Sequence, residues 1–496
     1  MSSIRVTYSG LISLAIGLSS IVTGLVFTII VTRQLTQEEF GTWNLIGGLI
    51  IYVIIIEPII SYWTIREVSR GTQSGRTAIF TSGIFSTVAI VAYLIIAYFV
   101  GIQSGVELDI LFLSAILVPV VFLNNTLSAI TIGWKPQAHS YGFLVFELVK
   151  IPAAIIFVYY LHMGLEGAIF ATFFASLANI LTLSILSREK LKGKISRKIF
   201  SKWIKLSWLP TYQNIPPMLF LSDVMIFSVI TGSVTGAATF GVSKAIGSIV
   251  LHTRAFSKGI YPKLLSGGKQ EYLQENLIRM FYFAFPLMGL SLSLARPGLF
   301  TLNPIYEEAV MIVFFLTFRS FLSSLNKIFF SALSGIEKVD IKEGATFKEY
   351  IKSRLFFLPT LRIIQYVSYV VILISGLLLL KSTSTELELV IYWSIVAFVI
   401  EIPFVIYLSK LIKKNFTLKL DYKSIFKYLS ASVVSFGILH LMIEQFLNYR
   451  ISIFEFLPEL LLFVSIGIAL YIGITYVIDK KTRILFKAIL SEIKRK

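Results

Sequence analysis

The sequence predicts an all-α integral membrane protein of about 14 transmembrane helices, arranged as two pseudo-symmetric six-helix bundles plus two extra C-terminal helices. Three observations carry this. The chain of 496 residues is 56% hydrophobic and 15% charged, with a mean hydropathy of +0.81, more apolar than a water-exposed surface tolerates. Its apolar runs recur at the length a helix needs to cross the hydrocarbon core, about 20 residues. Its Lys and Arg residues gather in every second connection between those runs.

The spans are expected near 10–31, 41–62, 78–100, 110–132, 142–161, 165–186, 207–231, 237–258, 280–302, 309–333, 359–380, 388–408, 427–446 and 457–478. The first run lacks a small-residue cleavage site and leads into a second, so it reads as a retained span rather than a signal peptide. Of the 45 Lys and Arg residues, thirty-six fall at one membrane face. Only Arg33, Arg296, Lys381 and Arg450 fall at the other, and Lys150, Lys244, Arg254, Arg319 and Lys327 lie within spans. Short basic loops stay in the cytoplasm, which puts both termini there; the plasma membrane is the expected location. The net charge of +18 thus reflects membrane topology, and no nucleic acid is expected as a partner.

The most basic connection, Ser187 to Lys205, follows the sixth span and reads first as an anchor touching anionic lipid. The other long connection on that face, Ser334 to Leu358, mixes acids and bases and lacks the apolar content of a core. The domains are therefore read as residues 1–205, a six-helix bundle with its basic linker; 206–409, a second such bundle; and 410–496, two further spans and a basic tail. An internal echo supports the two halves. Val31 to Asn44 reads VTRQLTQEEFGTWN and Ile230 to Lys244 reads ITGSVTGAATFGVSK, with Phe40-Gly41 matched by Phe240-Gly241 and Gly47 by Gly247. Duplication of this kind is a common transporter plan, with the substrate path at the repeat interface.

Ionisable groups inside a span cost about 2.5 to 3.5 kcal/mol on insertion scales and call for a functional reading with a partner. Asp223 and Lys244 are expected about 10 to 12 Å below the outer surface. There they form either a static ion pair or a charged cavity wall. Glu57, followed by Pro58, lies toward the inner side and is a candidate for ion coupling. Arg319 sits midway through its span, with a fork of donors suited to phosphate. Lys150, Arg254 and Lys327 lie nearer the inner interface, where long side chains reach headgroups. Glu147 and Lys150, one turn apart, neutralise one another in the plain reading, and Glu401 before Pro403 reads either way. The seventh span carries Pro210, Gln213, Asn214, Pro216 and Pro217, which predicts a bent or opened helix with Asn214 beside a cavity or in a static kink. Asn124 and Asn125 read as interhelical hydrogen-bond partners.

The absence of Cys removes disulfides, thiolate metal sites and thiol catalysis. The four His show no metal-ligand spacing, and no Gly-x4-Gly-Lys-Ser/Thr loop is present. No cofactor or metal is expected, and the short outer connections leave little room for an enzyme's catalytic surface.

The pattern Thr32-Arg33-x-Leu35-Thr36-x-x-x-Phe40-Gly41-x-Trp43-Asn44, with the span count and the two halves, resembles the polysaccharide-transport (Wzx-like) branch of the multidrug/oligosaccharidyl-lipid/polysaccharide (MOP) flippase superfamily. The resemblance implies a V-shaped pair of bundles working by alternating access. It also implies a polyprenyl- or dolichyl-linked oligosaccharide phosphate or diphosphate as cargo, membrane lipids around it, and H+ or Na+ as coupling ion. In that superfamily spans 1, 2, 7 and 8 line the cavity, which implies cavity positions for Glu57, Asp223 and Lys244. The alternatives are an ion-coupled drug or metabolite exporter of the MATE branch, usually with twelve spans, and a membrane-embedded glycan-processing enzyme.

Overall fold

Helices form wherever a long apolar run satisfies its own backbone, as lipid requires, and among the described residues every regular element is a helix. The structure is a computed structural model that describes residues 23–257, 264, 271–337, 339 and 347–484. In chain order the α-helices are α1 (23–34), α2 (Gln37–Val53), α3 (Pro58–Ser69), α4 (Gly75–Ser104), α5 (Leu108–Ser114), α6 (Leu117–Trp134), α7 (Pro136–Ala154), α8 (Gly164–Leu186), α9 (Arg197–Lys205), α10 (Trp208–Leu221), α11 (Asp223–Thr231) and α12 (Thr235–Gly247). They continue as α13 (Glu271–Ser293), α14 (Ala295–Leu302), α15 (Val310–Gly335), α16 (Phe347–Lys352), α17 (Arg354–Leu380), α18 (Glu386–Val399), α19 (Glu401–Asn415), α20 (Tyr422–Phe446) and α21 (Ile453–Ile478).

Among the described residues eleven helices are long and apolar enough to cross a membrane, or twelve when α13 and α14, bent by 66° at their junction, count as one span. The two other expected spans differ for separate reasons. The first falls mostly outside the described residues. The eighth is α12 followed by the 3-10 segment Ser248–Ser257, each piece too short to span alone.

The chain divides into two compact units, Met1–Thr239 with Val370–Ser384 and Phe240–Tyr369 with Thr385–Lys496. In the first, α2 starts at a capping box: Thr36 Oγ1 accepts from Glu39 N at 3.2 Å and Glu39 Oε2 accepts from Thr36 N at 2.8 Å. The other oxygen of Glu39 accepts from Leu165 N at 3.2 Å, so one carboxylate ties α2 to the start of α8. Gly41 lies so close to the turn before α12 that a Cβ there would stand 2.0 Å from the Val234 carbonyl oxygen. Gln37 Nε2 donates to Thr239 Oγ1 at 3.2 Å. The two echoed segments therefore touch. On α6, a Cβ at Gly133 would meet the Ile65 carbonyl oxygen at 2.9 Å, the close backbone approach that small residues permit between membrane helices.

In the second unit α13 is the hub. Ser432 donates to the Phe285 carbonyl at 2.8 Å, Ser293 to that of Phe436 at 2.7 Å, and Tyr471 to that of Tyr282 at 2.7 Å. The last two spans, α20 and α21, are thus fastened onto α13 by hydrogen bonds to carbonyls as well as by buried aromatic and aliphatic side chains. Phe240 of the second echo stacks on Trp393 at 3.7 Å, and the Trp393 indole donates to Tyr369 OH at 2.8 Å.

Candidate functional site

Four elements of the second unit bring charge together. The segment Ser248–Ser257 carries Arg254; α15 carries Arg319, Ser323, Asn326 and Lys327 at helical spacing along one face; α17 carries Arg362, Gln365 and Tyr366; and Glu401 opens α19. Pro403 lacks an N–H for the preceding turn, and α18 gives way to α19 at Ile400, beside that carboxylate.

Glu401 is 1% exposed. Asn326 Nδ2 donates to its Oε2 at 2.5 Å, and Arg362 Nη1 stands 3.7 Å from the same oxygen. Arg362 also donates to Gln365 Oε1 at 3.0 Å and to Tyr366 OH at 3.3 Å. Gln365 Nε2 in turn reaches the Ile400 carbonyl at 3.4 Å. Arg254 Nη2 donates to Ser323 Oγ at 2.6 Å, within the electrostatic reach of Arg319, Arg362 and Glu401. Lys327 feels both Arg254 and Arg362. Arg254, Arg319 and Arg362 are half-buried and Lys327 is exposed on its helix. Among the described residues Arg254, Arg319 and Arg362 gather near Glu401 and Tyr366. Charged groups within spanning helices settle beside water, an opposite charge or an anion, and guanidinium forks suit the oxygens of a phosphate.

The first unit holds a different arrangement. After α2 the chain passes through the 3-10 turn Ile54–Ile56 to Glu57, and Pro58 then opens α3. Glu57 is 4% exposed; Ser61 Oγ donates to its Oε2 at 3.3 Å, and Asn125 of α6 is a second polar neighbour. Among the described residues no Lys or Arg pairs with it. Elsewhere in this unit Glu147 pairs with Lys150 at 2.9 Å and accepts from Thr23 Oγ1 at 2.7 Å, while the Lys150 ammonium lies over Phe27 and Phe146. Those charges are neutralised locally, as their spacing predicts.

Of the sequence candidates, Arg319 joins the cationic cluster, and Lys244 is half-buried on α12 in the same unit. Asp223 is buried in the first unit at the start of α11, its Oδ1 accepting from Val224 N at 2.9 Å. Asn214 turns its amide back onto the Pro210 carbonyl at 2.7 Å. α10 runs through Pro216 and Pro217 to Leu221, and the span is interrupted at Ser222 before α11. Arg362, Asn326 and Tyr366 are the residues that sequence reasoning missed. Arg362 passes for one more basic residue at the end of a cytoplasmic connection, although it sits eight positions into α17, two turns from that helix's start.

No protein-family model and no curated protein matches the sequence. In structure the chain is similar to a lipid II flippase MurJ in an inward closed conformation, with a TM-score of 0.65 at 13% identity over 94% of this chain and 98% of that one. It is also similar to an inward-facing multidrug resistance MATE family transporter of the MOP superfamily, with a TM-score of 0.59 at 14% identity over 82% and 98%. The chain shares the fold of these transporters. The Arg254–Arg319–Arg362 cluster lies within a unit built largely of helices long and apolar enough to span a membrane.

Proposed function

We propose that the protein is a flippase that carries a lipid-linked oligosaccharide from the cytoplasmic to the outer leaflet of the plasma membrane by alternating access. The observation that carries this reading is the gathering of three guanidinium groups, Arg254, Arg319 and Arg362, near Glu401. A polyprenyl or dolichyl phosphate or diphosphate headgroup is anionic and needs partly hydrated positive charge at membrane depth. Arg319, Arg254 and Arg362 hold the phosphate in this reading. Lys244 adds a further cation in the same unit. The sign of the cluster disfavours cationic drugs, the cargo of the rival exporter reading.

The test is reconstitution in liposomes with a fluorescent lipid-linked oligosaccharide, followed by quenching from outside. Wild type should flip the probe, and Arg319→Ala combined with Arg362→Ala should slow it by about tenfold or more, the loss of one or two charge-assisted contacts. Efflux of cationic dyes by wild type, with no movement of the lipid-linked probe, would replace this reading with the exporter one.

A further inference from the structure

The connection that follows α8 is seated on the protein. Ser196 caps α9, its Oγ accepting from Ile199 N at 3.3 Å, and its own N–H donates to Thr77 Oγ1 at 3.0 Å. Lys202 Nζ reaches Glu67 Oε1 at 2.6 Å, and the Trp203 side chain is fully buried. A Cβ at Gly75 would stand 2.4 Å from the Lys190 carbonyl oxygen, so the segment before α9 is also held against the start of α4.

At 100° per residue, Arg197, Lys198, Ser201, Lys202 and Lys205 fill one half of α9, and Ile199, Phe200, Trp203 and Ile204 fill the other. Trp203 anchors the apolar half to the protein, and the basic half is exposed. Beside it Ile204, Leu206 and Trp208 are exposed at 41%, 36% and 37%, leading directly into the span that begins at Pro210. Between Ser187 and Trp208 the only acid is Glu189. Basic side chains next to exposed apolar ones, with a Trp at the mouth of a span, mark the level of lipid headgroups.

From this juxtaposition we infer that the basic half of α9 is a docking surface for anionic phospholipid headgroups of the leaflet on its side of the membrane. A soluble acidic protein fits less well, because exposed Ile204, Leu206 and Trp208 continue into a membrane-spanning helix. The Lys202–Glu67 bridge ties the docked helix to α3, the helix that starts at Pro58 beside Glu57.

The experiment compares the full chain in nanodiscs of phosphatidylcholine with and without phosphatidylglycerol, reading hydrogen exchange over residues 197–205 and lipid retained in native mass spectrometry. Phosphatidylglycerol should slow exchange by about tenfold, and Lys198→Gln combined with Lys205→Gln should remove most of that gain. Lys202→Gln should raise exchange in phosphatidylcholine alone as well, because it breaks the bridge to Glu67. High salt should abolish the lipid effect. Equal exchange in the two lipids overturns the inference, as does a lipid effect that survives in the double variant, or protection by soluble polyglutamate with none from phosphatidylglycerol. Each of these readouts is independent of whether the protein flips a glycan lipid.

Discussion

Asn326 donates to the carboxylate of Glu401 at 2.5 Å, and both side chains are buried inside the second unit. The amide and Arg362 hold one oxygen between them. Glu401 is thereby fixed as the resident counter-charge of the cationic cluster, a role that Asn326 supports without adding charge.

Replacing Asn326 by Leu removes the donor and leaves a buried carboxylate to Arg362 alone. Losing a hydrogen bond to a buried charged group costs about 1.5 to 3 kcal/mol. Asn326→Leu should therefore lower the melting temperature of the detergent-solubilised protein, whereas Asn326→Gln should restore part of it. Unchanged melting for Asn326→Leu would show that the contact holds nothing in place.

α2 starts at Gln37, ahead of the expected span start at 41, because Thr36 and Glu39, three residues apart, close a capping box before the apolar run. Arg319 was legible by depth alone. Arg362 was not, because a cation two turns into a helix looks like the tail of a basic loop until other elements pack around it. The pairing of Asn326 with Glu401 was hidden for a related reason: it joins positions far apart in the chain. The two prolines of α10 left the place of the break open, because a proline removes a donor without dictating where the helix gives way, and here it gives way at Ser222.

The echo at Phe40-Gly41 and Phe240-Gly241 extends to Gly47 and Gly247, yet these last two glycines do different work. A Cβ at Gly247 would meet the Leu316 Cβ at 2.9 Å, and one at Gly41 would meet the Val234 carbonyl oxygen at 2.0 Å, whereas Gly47 has nothing within 4 Å. Overpacking of this kind costs about 1 to 3 kcal/mol. Gly41→Ala and Gly247→Ala should each lower the melting temperature, and Gly47→Ala should leave it unchanged or raise it slightly, since Ala favours helix over Gly. A neutral Gly41→Ala would mean that the α2 start and the Val234 turn are not held in contact.

Glu57 is buried with a hydroxyl and an amide for company, and an ionised carboxylate without a cation is costly to keep in a membrane. Such a pocket suits a bound proton or a single small cation, and we propose Glu57 as the group through which a gradient acts in the proposed flippase. Glu57→Gln keeps the hydrogen bonding and removes the exchangeable charge. The variant should still flip a lipid-linked probe down its own gradient, but an imposed pH gradient should no longer accelerate it. Equal acceleration of wild type and variant would assign the coupling to another residue.

At the loop end of α20 and the chain following α21, Asp421 Oδ2 pairs with Lys481 Nζ at 2.6 Å, and Asp421 also caps α20 by accepting from Ser424 N at 3.1 Å. The hydrogen bond from Lys481 leads the forces that hold the Asp421 carboxyl well below the usual carboxylate range, with those from Ser424 next. A carboxylate whose folded value is depressed contributes stability that is fully present above its unfolded value, about 3.9, and is lost as pH falls through the folded value. The contact should therefore persist between pH 7 and about pH 4. Hydrogen exchange over residues 479–484 should be slow and flat across that window in wild type, after correction for the intrinsic pH dependence of exchange. In Asp421→Asn, which keeps a capping oxygen but loses the ion pair, it should be faster throughout. A wild-type profile that loosens in step with ordinary carboxylate titration would mean that Lys481 does not hold Asp421 in solution.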